Sequence, residues 1–318
     1  MEKNKKVIRL FDAFTGYGGA SWGMKKAKIP FKVVGYSEID KFAIKLYELN
    51  HKDVKNYGDI TKINPDDLPD FDFFTGGFPC QTFSSIGKGE GELDERGTLF
   101  REIIRICEVK KPTYILLENV KGLTTNSHRA TYEKILSELK RLKYNVQSKV
   151  LNTKDYGIPQ NRERVWIFAT KKEIPLGWTF EPEKEPLKLF LKDFIEKKVD
   201  EQYYLKPYQI AQLTKKTGVT FNVEEPLCFD RYNKQIRKDG VCMTISEPHH
   251  NIMRIVEPKK GTEFRVRKMT PTEHFRFMGF KDDEIDLDGF TYNQLCKCVG
   301  NGWDVNLASK IMKRIFTL

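Results

Sequence analysis

Long hydrophobic runs are absent from this sequence. No stretch of its 318 residues approaches the roughly 18 apolar residues that a membrane span needs. The first six residues are Met-Glu-Lys-Asn-Lys-Lys, and they lead straight into a strand-like segment without the apolar core or cleavage site of a signal peptide. We therefore expect a cytoplasmic protein that does not bind a membrane.

Closely spaced cysteine pairs of the metal-binding kind are also absent. The chain has six cysteines and no CxxC pair, and Cys296 and Cys298 stand too close together for the usual zinc spacing. This excludes a zinc ribbon and a thioredoxin-like site, and we predict no metal site. Apart from Cys80, the cysteines are expected to be reduced, buried thiols.

A complete dinucleotide-binding fingerprint is missing as well. The first predicted strand, 7–12, leads into a turn with Gly16, Gly18 and Gly19, but Ser21 stands where GxGxxG needs its third glycine. A pyrophosphate ligand is therefore disfavoured. Glycines at such a turn still let a ligand approach the backbone closely.

Two acids follow this turn at intervals that suit a nucleoside. Glu38 ends the next predicted strand, where a carboxylate can bind both ribose hydroxyls. Asp59 ends the following strand-like region, Gly58-Asp59-Ile60, where it could accept a hydrogen bond from an adenine amino group. The glycine turn and the two acids together suit a nucleoside ligand without phosphates, and S-adenosylmethionine (AdoMet) is such a ligand. The alternative is that these are solvated loop residues.

The first half of the chain alternates strand and helix patterns, which predicts an α/β fold with a doubly wound, mostly parallel sheet. After Lys172, prolines and short strand-like runs replace the alternation, which indicates a second, smaller domain. The predicted strands are 7–12, 32–37, 72–76, 114–118, 146–151 and 165–170, and the predicted helices are 20–28, 41–50, 99–110, 131–142, 271–277 and 306–316.

Positive charge is concentrated in one short region. The net charge is +11, the pI is about 9.1, and residues 231–268 carry 10 Lys and Arg against 4 Asp and Glu. Such a region suits a polyanionic partner, although a solvated basic face gives the same composition.

Cys80 and Glu118 each follow a predicted strand. Cys80 comes after the run Gly76-Gly77-Phe78-Pro79, and Glu118 ends the strand that begins at Tyr114. Ligands bind at the carboxyl ends of strands in open α/β sheets. If the two strands are neighbours, both side chains face one cleft.

The sequence resembles the bacterial and phage DNA cytosine-5 methyltransferases along nearly its whole length. The resemblance implies a Rossmann-like AdoMet-dependent methyltransferase sheet in 1–178, a small target-recognition domain in 179–284, and a segment, 285–318, that returns to the catalytic domain. It also implies AdoMet as methyl donor, S-adenosylhomocysteine as product, and a monomer acting on double-stranded DNA. The blocks that carry it are Phe14–Gly19, Gly77–Ser84, Glu118–Val120, Asp155–Arg164, Arg267–Gly279 and Gln294–Gly302.

The resemblance also assigns roles to residues. Cys80 is the expected nucleophile, Glu118 the group at ring nitrogen 3, and Arg164 the contact to the cytosine carbonyl oxygen, with Arg162 holding nearby groups or phosphate. The alternative for either arginine is a surface ion pair with Glu163. The expected cofactor contacts are Phe14, Gly16, Gly18, Gly19, Glu38, Ile39, Asp59, Ile60, Phe78, Pro79, Asn301 and Gly302.

DNA contacts are expected from two regions. Residues 85–97 match the loop that closes over the target base, and the basic run lies where the family keeps target recognition. The DNA-binding residues expected are Gln81, Ser84, Arg231, Lys234, Arg237 and Thr244.

Two departures from the family pattern stand out near the expected cofactor contacts. Thr15 replaces a usual Ala, and Gly302-Trp303 replaces a usual small residue followed by Val.

Other functions remain open at this point. One branch of the family methylates tRNA with the same Cys and Glu blocks, and a catalytically silent DNA-binding relative is a further alternative. A zinc cytidine deaminase is excluded because Cys80 is followed by Gln81, Thr82 and Phe83, which breaks the Pro-Cys-x-x-Cys pattern. A restriction endonuclease with the same target is a functional partner that the resemblance allows.

Overall fold

The chain forms two compact units. A computed structural model of the protein describes residues 6–79, 98–126, 128–218, 223–231, 233–246, 253–259 and 263–318. The first unit comprises Met1–Leu151, Glu163–Pro182 and Leu307–Leu318, and the second comprises Asn152–Arg162 and Glu183–Asn306. Compared with the bounds predicted from the sequence, the second unit also takes in 152–162 and extends to Asn306.

The first unit is built on a six-stranded sheet in the order β2-β1-β3-β4-β7-β5. The pairs β1–β2, β1–β3 and β3–β4 are parallel, whereas β4–β7 is antiparallel. The predicted mixed α/β fold with a mostly parallel sheet is thus confirmed. Its elements are β1 (Ile8–Ala13), α1 (Gly19–Lys26), β2 (Phe31–Ser37), α2 (Lys41–Asn50), β3 (Phe73–Gly77), α3 (Thr98–Lys110), β4 (Tyr114–Val120), α4 (Arg129–Arg141), β5 (Asn145–Asn152), β7 (Glu163–Thr170) and α9 (Val305–Ile315).

The central strands contain runs of consecutive apolar residues, such as Ile115–Leu117 of β4 and Val165–Ala169 of β7, as expected for a sheet covered on both faces. Phe11, Phe74 and Ile115 lie on adjacent strands in one core, together with Ile103 of α3. The C-terminal segment completes this unit, since the Phe316 ring packs edge-on against two rings of the sheet, those of Phe73 and Tyr114.

The predicted strand ending at Gly58-Asp59-Ile60 is wrong. A short 3₁₀ helix, Ile60–Lys62, begins there, and the Asp59 side chain accepts a hydrogen bond from the Thr61 amide at its start. Gly58 has a positive φ of 71°, so the backbone turns instead of extending. Local capping by Asp59 explains the difference, because such residues favour turns over strands.

The second unit contains a four-stranded sheet in the order β12-β11-β8-β9 and a short parallel pair, β10–β6. In this sheet β8 pairs antiparallel with both β9 and β11, and β11 also pairs antiparallel with β12. Its elements are β6 (Gln160–Asn161), α5 (Leu191–Phe194), α6 (Pro207–Thr217), β8 (Leu227–Asp230), β9 (Gln235–Arg237), β10 (Cys242–Met243), β11 (Met253–Pro258), β12 (Phe264–Arg267), α7 (Pro271–Phe277) and α8 (Tyr292–Asn301).

Helix α6 was not anticipated, because the prolines of this region indicated only short strands. Pro207 occupies the first turn of the helix, where its missing N–H costs nothing, and Gly218 ends it in the left-handed conformation with φ of 68°. Leu213 joins α6 to a small core with Phe229 and Val256 of the sheet. Apolar packing on the sheet therefore stabilises the helix.

Helix α7 is attached to the sheet of the second unit by a buried charged network. The fully buried guanidinium of Arg267 donates to both carboxylate oxygens of Glu273, at 2.7 and 2.8 Å, and to Glu257 at 2.7 Å. Glu273 also accepts from the Thr270 amide at 2.9 Å in a capping box. The block Arg267–Gly279 is thus a structural junction within this unit.

Candidate active site

The glycine turn, residues Phe14–Gly19, connects β1 to α1. Phe14, Gly16 and Gly18 all have positive φ, at 53°, 57° and 88°. A Cβ on Gly18 would lie 2.6 Å from His51 Nε2, so glycine is required there by space as well as by backbone conformation. The turn is therefore a rigid backbone cradle at the carboxyl end of β1, with Gly19 as the first residue of α1.

Glu38 holds this cradle from the end of β2. One carboxylate oxygen accepts from the Gly16 amide at 3.0 Å, and the other accepts from the amides of Ile39 and Asp40 at 2.8 and 2.9 Å. Ile39 is 73% exposed beside it. A carboxylate next to an open apolar side chain fits a ribose with its attached base.

Asp59 and Ile60 lie in the 3₁₀ turn of the first unit. The Asp59 carboxylate accepts from the Thr61 hydroxyl at 2.8 Å and from its amide at 3.0 Å, and these bonds lower the pKa of Asp59. Asp59 is therefore ionised at neutral pH and can accept a further hydrogen bond. Ile60 is buried beneath it.

The strand that leads to Cys80 lies directly beside the strand of Glu118. Strands β3 and β4 are parallel, and Gly77 pairs with Glu118. The carbonyl of Phe78 accepts from Asn119 Nδ2 at 2.9 Å, and the buried Phe78 ring lies 6.1 Å from that of Phe100. Pro79 is exposed. The predicted site residues Cys80, Gln81 and Ser84 lie outside the described residues, as does the predicted loop 85–97.

Asn119 is a residue to which the sequence reasoning gave no role. It is buried, its Nδ2 holds the Phe78 carbonyl, and its Oδ1 accepts from the Val120 amide at 2.8 Å. The sequence signal for this contact is an amide side chain at the end of an apolar strand. Such a side chain is expected to be buried, and buried polar groups require hydrogen-bond partners.

Glu118 and Arg164 form a buried ion pair in the first unit. Arg164 Nε lies 3.0 Å from Glu118 Oε1, and the two side chains are 15% and 10% exposed. Val120 pairs with Arg164 across β4 and β7, which makes Glu118 a diagonal neighbour of Arg164. The Glu163 carboxylate instead pairs with Lys121 at 2.9 Å, so the alternative Arg164–Glu163 side-chain pair is not the one formed.

Arg162 lies in the second unit and is also buried. Its guanidinium donates to the carbonyl of Ile245 at 2.9 Å and to those of Gly300 and Gly302 at 3.2 and 2.7 Å. These bonds connect the end of β10 to the end of α8. The predicted role in holding phosphate remains a prediction, but the observed contacts make Arg162 a structural tie.

Gln160 supports the same region and was not assigned a role from the sequence. Its side-chain amide donates to the Phe277 carbonyl at 2.7 Å, and its oxygen accepts from the Ile245 amide at 3.0 Å. Together with the bonds of Arg162, these contacts fix the backbone after β10.

Asn301 and Gly302 end helix α8. Gly300 and Asn301 are the last residues of this helix, and Gly302 is its C-cap. A capping box between Thr291 and Gln294 starts the helix and sets its register. Asn301 is exposed and Gly302 is buried.

The expected DNA contacts of the second unit lie in two places. Arg231 and Lys234 are exposed in the β8–β9 connection, whereas Arg237 of β9 is half-buried and its Nε lies 3.1 Å from Asp239. Thr244 is exposed and follows β10, and its hydroxyl donates to the Asn161 carbonyl at 2.6 Å. The β10–β6 pair thus brings Thr244 next to the Gln160–Arg162 segment.

Comparison with known proteins identifies the family. The family model described as C-5 cytosine-specific DNA methylase matches residues 8–317. The chain belongs to this family. As a family member it is an AdoMet-dependent DNA cytosine-5 methyltransferase, which confirms the expected activity, methyl donor and class of substrate.

Relatives of this methylase include bacterial type II enzymes. It is 37% identical over 310 residues to type II methyltransferase M.NgoBI of Neisseria gonorrhoeae, covering 94% of this chain and 90% of that one. It is 35% identical over 297 residues to type II methyltransferase M1.ScrFI of Lactococcus lactis subsp. cremoris, covering 89% and 72%. In fold, the methylase is similar to the crystal structure of the S. pombe Dnmt2 methyltransferase, with a TM-score of 0.73 at 22% identity and 98% coverage of both chains.

Proposed function

We propose that this methylase acts through a covalent adduct between Cys80 and a cytosine flipped out of duplex DNA, with Glu118 and Arg164 as its catalytic partners. The buried Glu118–Arg164 pair carries the proposal. It stands at the carboxyl end of β4, and β4 is hydrogen-bonded to the strand from which the chain continues to Cys80.

The chemistry explains why a thiol and an acid are both needed. Cytosine carbon 5 is a poor nucleophile until a thiolate adds to carbon 6, which moves electron density onto carbon 5 and ring nitrogen 3. Near neutral pH about a tenth or less of an unperturbed thiol is ionised, a cost of about 1.5 kcal/mol. Disrupting the aromatic ring costs more, so Glu118 contributes most by hydrogen-bonding or protonating nitrogen 3.

The remaining steps restore the ring. AdoMet, when bound, supplies an electrophilic methyl group, which carbon 5 takes as the bond from this methyl to the AdoMet sulfur breaks and S-adenosylhomocysteine leaves. The proton on carbon 5 then leaves, the electron pair of that C–H bond reforms the ring double bond, and the Cys80 thiolate is expelled. Glu118 gives a proton to nitrogen 3 as the thiolate adds and takes it back as Cys80 leaves, while Arg164 orients the Glu118 side chain and donates to the cytosine carbonyl oxygen.

The glycine turn fits the methyl donor. The rigid backbone of Gly16 and Gly18 permits close approach, Glu38 is placed for the ribose hydroxyls, and Ile39 offers an apolar surface to the adenine. Asp59 has the ionised carboxylate that can accept from the adenine amino group. We propose Phe78, Pro79, Asn301 and Gly302 as further contacts.

We propose that basic residues of the second unit bind DNA. Flipping a base costs a few kcal/mol, which phosphate and groove contacts must offset. Arg231, Lys234 and Arg237 are proposed for these contacts, and Thr244 for the flipped nucleotide. Asp239 competes for Arg237, so Arg237 must exchange this partner when it binds DNA.

The biological setting is part of the proposal. The relatives named above are type II methyltransferases, which supports a role beside a restriction endonuclease that has the same target sequence. Among the described residues, no helix is both long and apolar enough to cross a membrane. We propose a cytoplasmic monomer, and the mass of the protein–DNA complex by light scattering tests the oligomeric state.

Transfer of labelled methyl from AdoMet to duplex DNA and to tRNA, measured side by side for wild type and Cys80→Ala, tests the mechanism. We expect label in DNA that requires Cys80. DNA containing 5-fluorocytosine should trap the Cys80 adduct, because fluorine cannot leave as a proton. Label in tRNA alone would move the substrate to RNA, and AdoMet binding without label in either would indicate a catalytically silent relative.

A further inference from the structure

Asp12 is a buried carboxyl group to which the proposed mechanism gives no role. It lies in β1 between apolar residues and is 2% exposed. Burying a carboxylate is costly unless it is hydrogen-bonded, so its partners must offset that cost. No other acid of β1, β3 or β4 in the described part of the chain is as deeply buried.

Its two oxygens bind two different segments of the proposed site. One accepts from the Thr15 hydroxyl at 2.5 Å, and the other accepts from the Thr75 hydroxyl at 2.7 Å. Thr15 stands in the glycine turn between Phe14 and Gly16, and its carbonyl accepts from the Gly18 amide at 2.9 Å. Thr75 is a fully buried residue of β3, the strand that leads to Cys80.

Burial and hydrogen bonding have opposite effects on the pKa of Asp12. Burial raises the pKa of Asp12 to about 7, against the two hydroxyl bonds, which lower it. The ionisable groups that face it are Glu38 at the end of β2, which raises this pKa further, and Tyr47 of α2, whose own pKa is raised by burial and by the charge of Asp12. The ionised form is the one that accepts from both hydroxyls.

We propose that Asp12 is a positioning residue for methyl transfer, which ties the glycine turn to the nucleophile strand through the hydroxyls of Thr15 and Thr75. This inference rests on the proposed functions of those two segments. Thr15 occupies the position where the family usually has alanine, so this tie is particular to chains with a hydroxyl there. A positive ligand on the glycine turn favours the ionised carboxyl, which strengthens the tie.

The test measures AdoMet binding by calorimetry for wild type, Thr15→Val, Thr15→Ser and Asp12→Asn. Valine keeps the shape of threonine without its hydroxyl, and we expect it to weaken AdoMet affinity about tenfold, the effect of one lost charge-assisted hydrogen bond. Serine keeps the hydroxyl and should stay within about twofold. Thr170→Ala is the matched control, because Thr170 is a buried threonine of β7 whose hydroxyl donates to the Thr113 carbonyl.

A double-mutant cycle separates positioning from general damage. If Thr15 acts through Asp12, Thr15→Val should add less than about twofold in the Asp12→Asn background. The KM for AdoMet should rise while the KM for DNA stays constant. From pH 6 to pH 8, wild type should gain more AdoMet affinity than Asp12→Asn, a comparison that cancels the titration of the ligand itself.

Three outcomes would overturn the inference. These are unchanged AdoMet affinity in Thr15→Val, independent effects of the two substitutions, and parallel pH profiles of wild type and Asp12→Asn. If wild type binds AdoMet and the variants bind it with the same affinity, only the role of Asp12 is refuted. Wild type that fails to bind AdoMet refutes the proposed donor site as well. Thermal melts of each variant verify folding, and Thr15→Ser keeps the comparison valid if valine unfolds the protein.

Discussion

Arg164 Nε lies 3.0 Å from Glu118 Oε1, diagonally across two antiparallel strands. Both side chains are largely buried, so the surrounding packing restricts their movement. The pair is therefore a preformed arrangement, in which the carboxyl group that the chemistry requires is already oriented before a substrate arrives.

Removing the guanidinium should disable the site without unfolding the protein. We expect Arg164→Ala to lower kcat by roughly 10²-fold, and Arg164→Lys to recover only part of this loss because lysine lacks the planar fork. Single-turnover methyl transfer measures the effect. Lys121→Ala breaks the exposed Lys121–Glu163 pair and is the control. A kcat loss in Lys121→Ala as large as in Arg164→Ala would contradict a specific role for the buried pair.

Asn119 should matter for the nucleophile more than for folding. Asn119→Ala leaves the buried Phe78 carbonyl without its side-chain donor, so the free energy of unfolding should fall by about 1–3 kcal/mol. The rate of adduct formation on 5-fluorocytosine DNA should fall by a factor that corresponds to at least this free energy. Asn145→Ala is the control, since Asn145 also donates to a carbonyl, that of Lys172, but at an exposed position. Normal adduct formation in Asn119→Ala would refute this role.

The glycine turn tolerates no side chain at Gly18. Gly18→Ala combines a left-handed backbone with a Cβ 2.6 Å from His51 Nε2, whereas Gly58→Ala meets only the backbone strain because nothing lies within 4 Å. We expect Gly58→Ala to cost about 1–2 kcal/mol and Gly18→Ala clearly more, with a loss of AdoMet binding. Chemical denaturation of both variants measures the difference. Equal costs would show that the turn can shift away from His51.

The stability of the unliganded protein should depend on pH through Asp12. Its folded-state pKa of about 7 lies above the unfolded value of about 4, so the unfolded chain releases the proton first as pH rises. The stability that the protonated group contributes is complete below about pH 4 and is lost as pH rises through about 7, a decline on the order of 4 kcal/mol. Denaturation of wild type and Asp12→Asn from pH 5 to pH 8 should therefore give diverging curves.

The second unit should depend on its buried charges. Glu273→Ala leaves the Arg267 guanidinium buried with one acidic partner fewer, and we expect a loss of roughly 3–5 kcal/mol in the stability of that unit. Replacing both residues with methionine should cost less than Glu273→Ala alone, because the charge left without its partner is then that of Glu257, which is partly exposed and still accepts from the Tyr204 hydroxyl. Denaturation followed by hydrogen exchange of α7 measures this. A double variant less stable than Glu273→Ala would contradict the argument.

The sequence was most informative where physical signals are local. The alternation of apolar strands and amphipathic helices predicted the elements of the first unit to within a few residues. The sequence left open whether the strands that lead to Cys80 and Glu118 are neighbours, and the structure pairs Gly77 with Glu118. Helix Pro271–Phe277 was predicted with its observed bounds. These features follow from hydrophobic period and cap residues, which a single sequence displays.

Long-range polar contacts could not be read in this way. The Asp12–Thr75 bond joins residues 63 positions apart, and the bonds of Arg162 reach carbonyls 83 to 140 positions away. Backbone carbonyls carry no sequence signature, so a motif arginine that binds them is indistinguishable from one that binds phosphate. The strand predicted at Gly58–Ile60 failed for a related reason, since the capping by Asp59 outweighed the strand-like pattern.

Helix α9 has a consequence for how this protein is made. The sheet begins with β1 near the start of the chain, but the surface formed by Phe73 and Tyr114 is covered by Phe316, and Met312 packs against Gly23 of α1. A ribosome must therefore synthesise the whole second unit before the first can close its core. Until then the nascent sheet exposes aromatic surface, which makes it a client for chaperones.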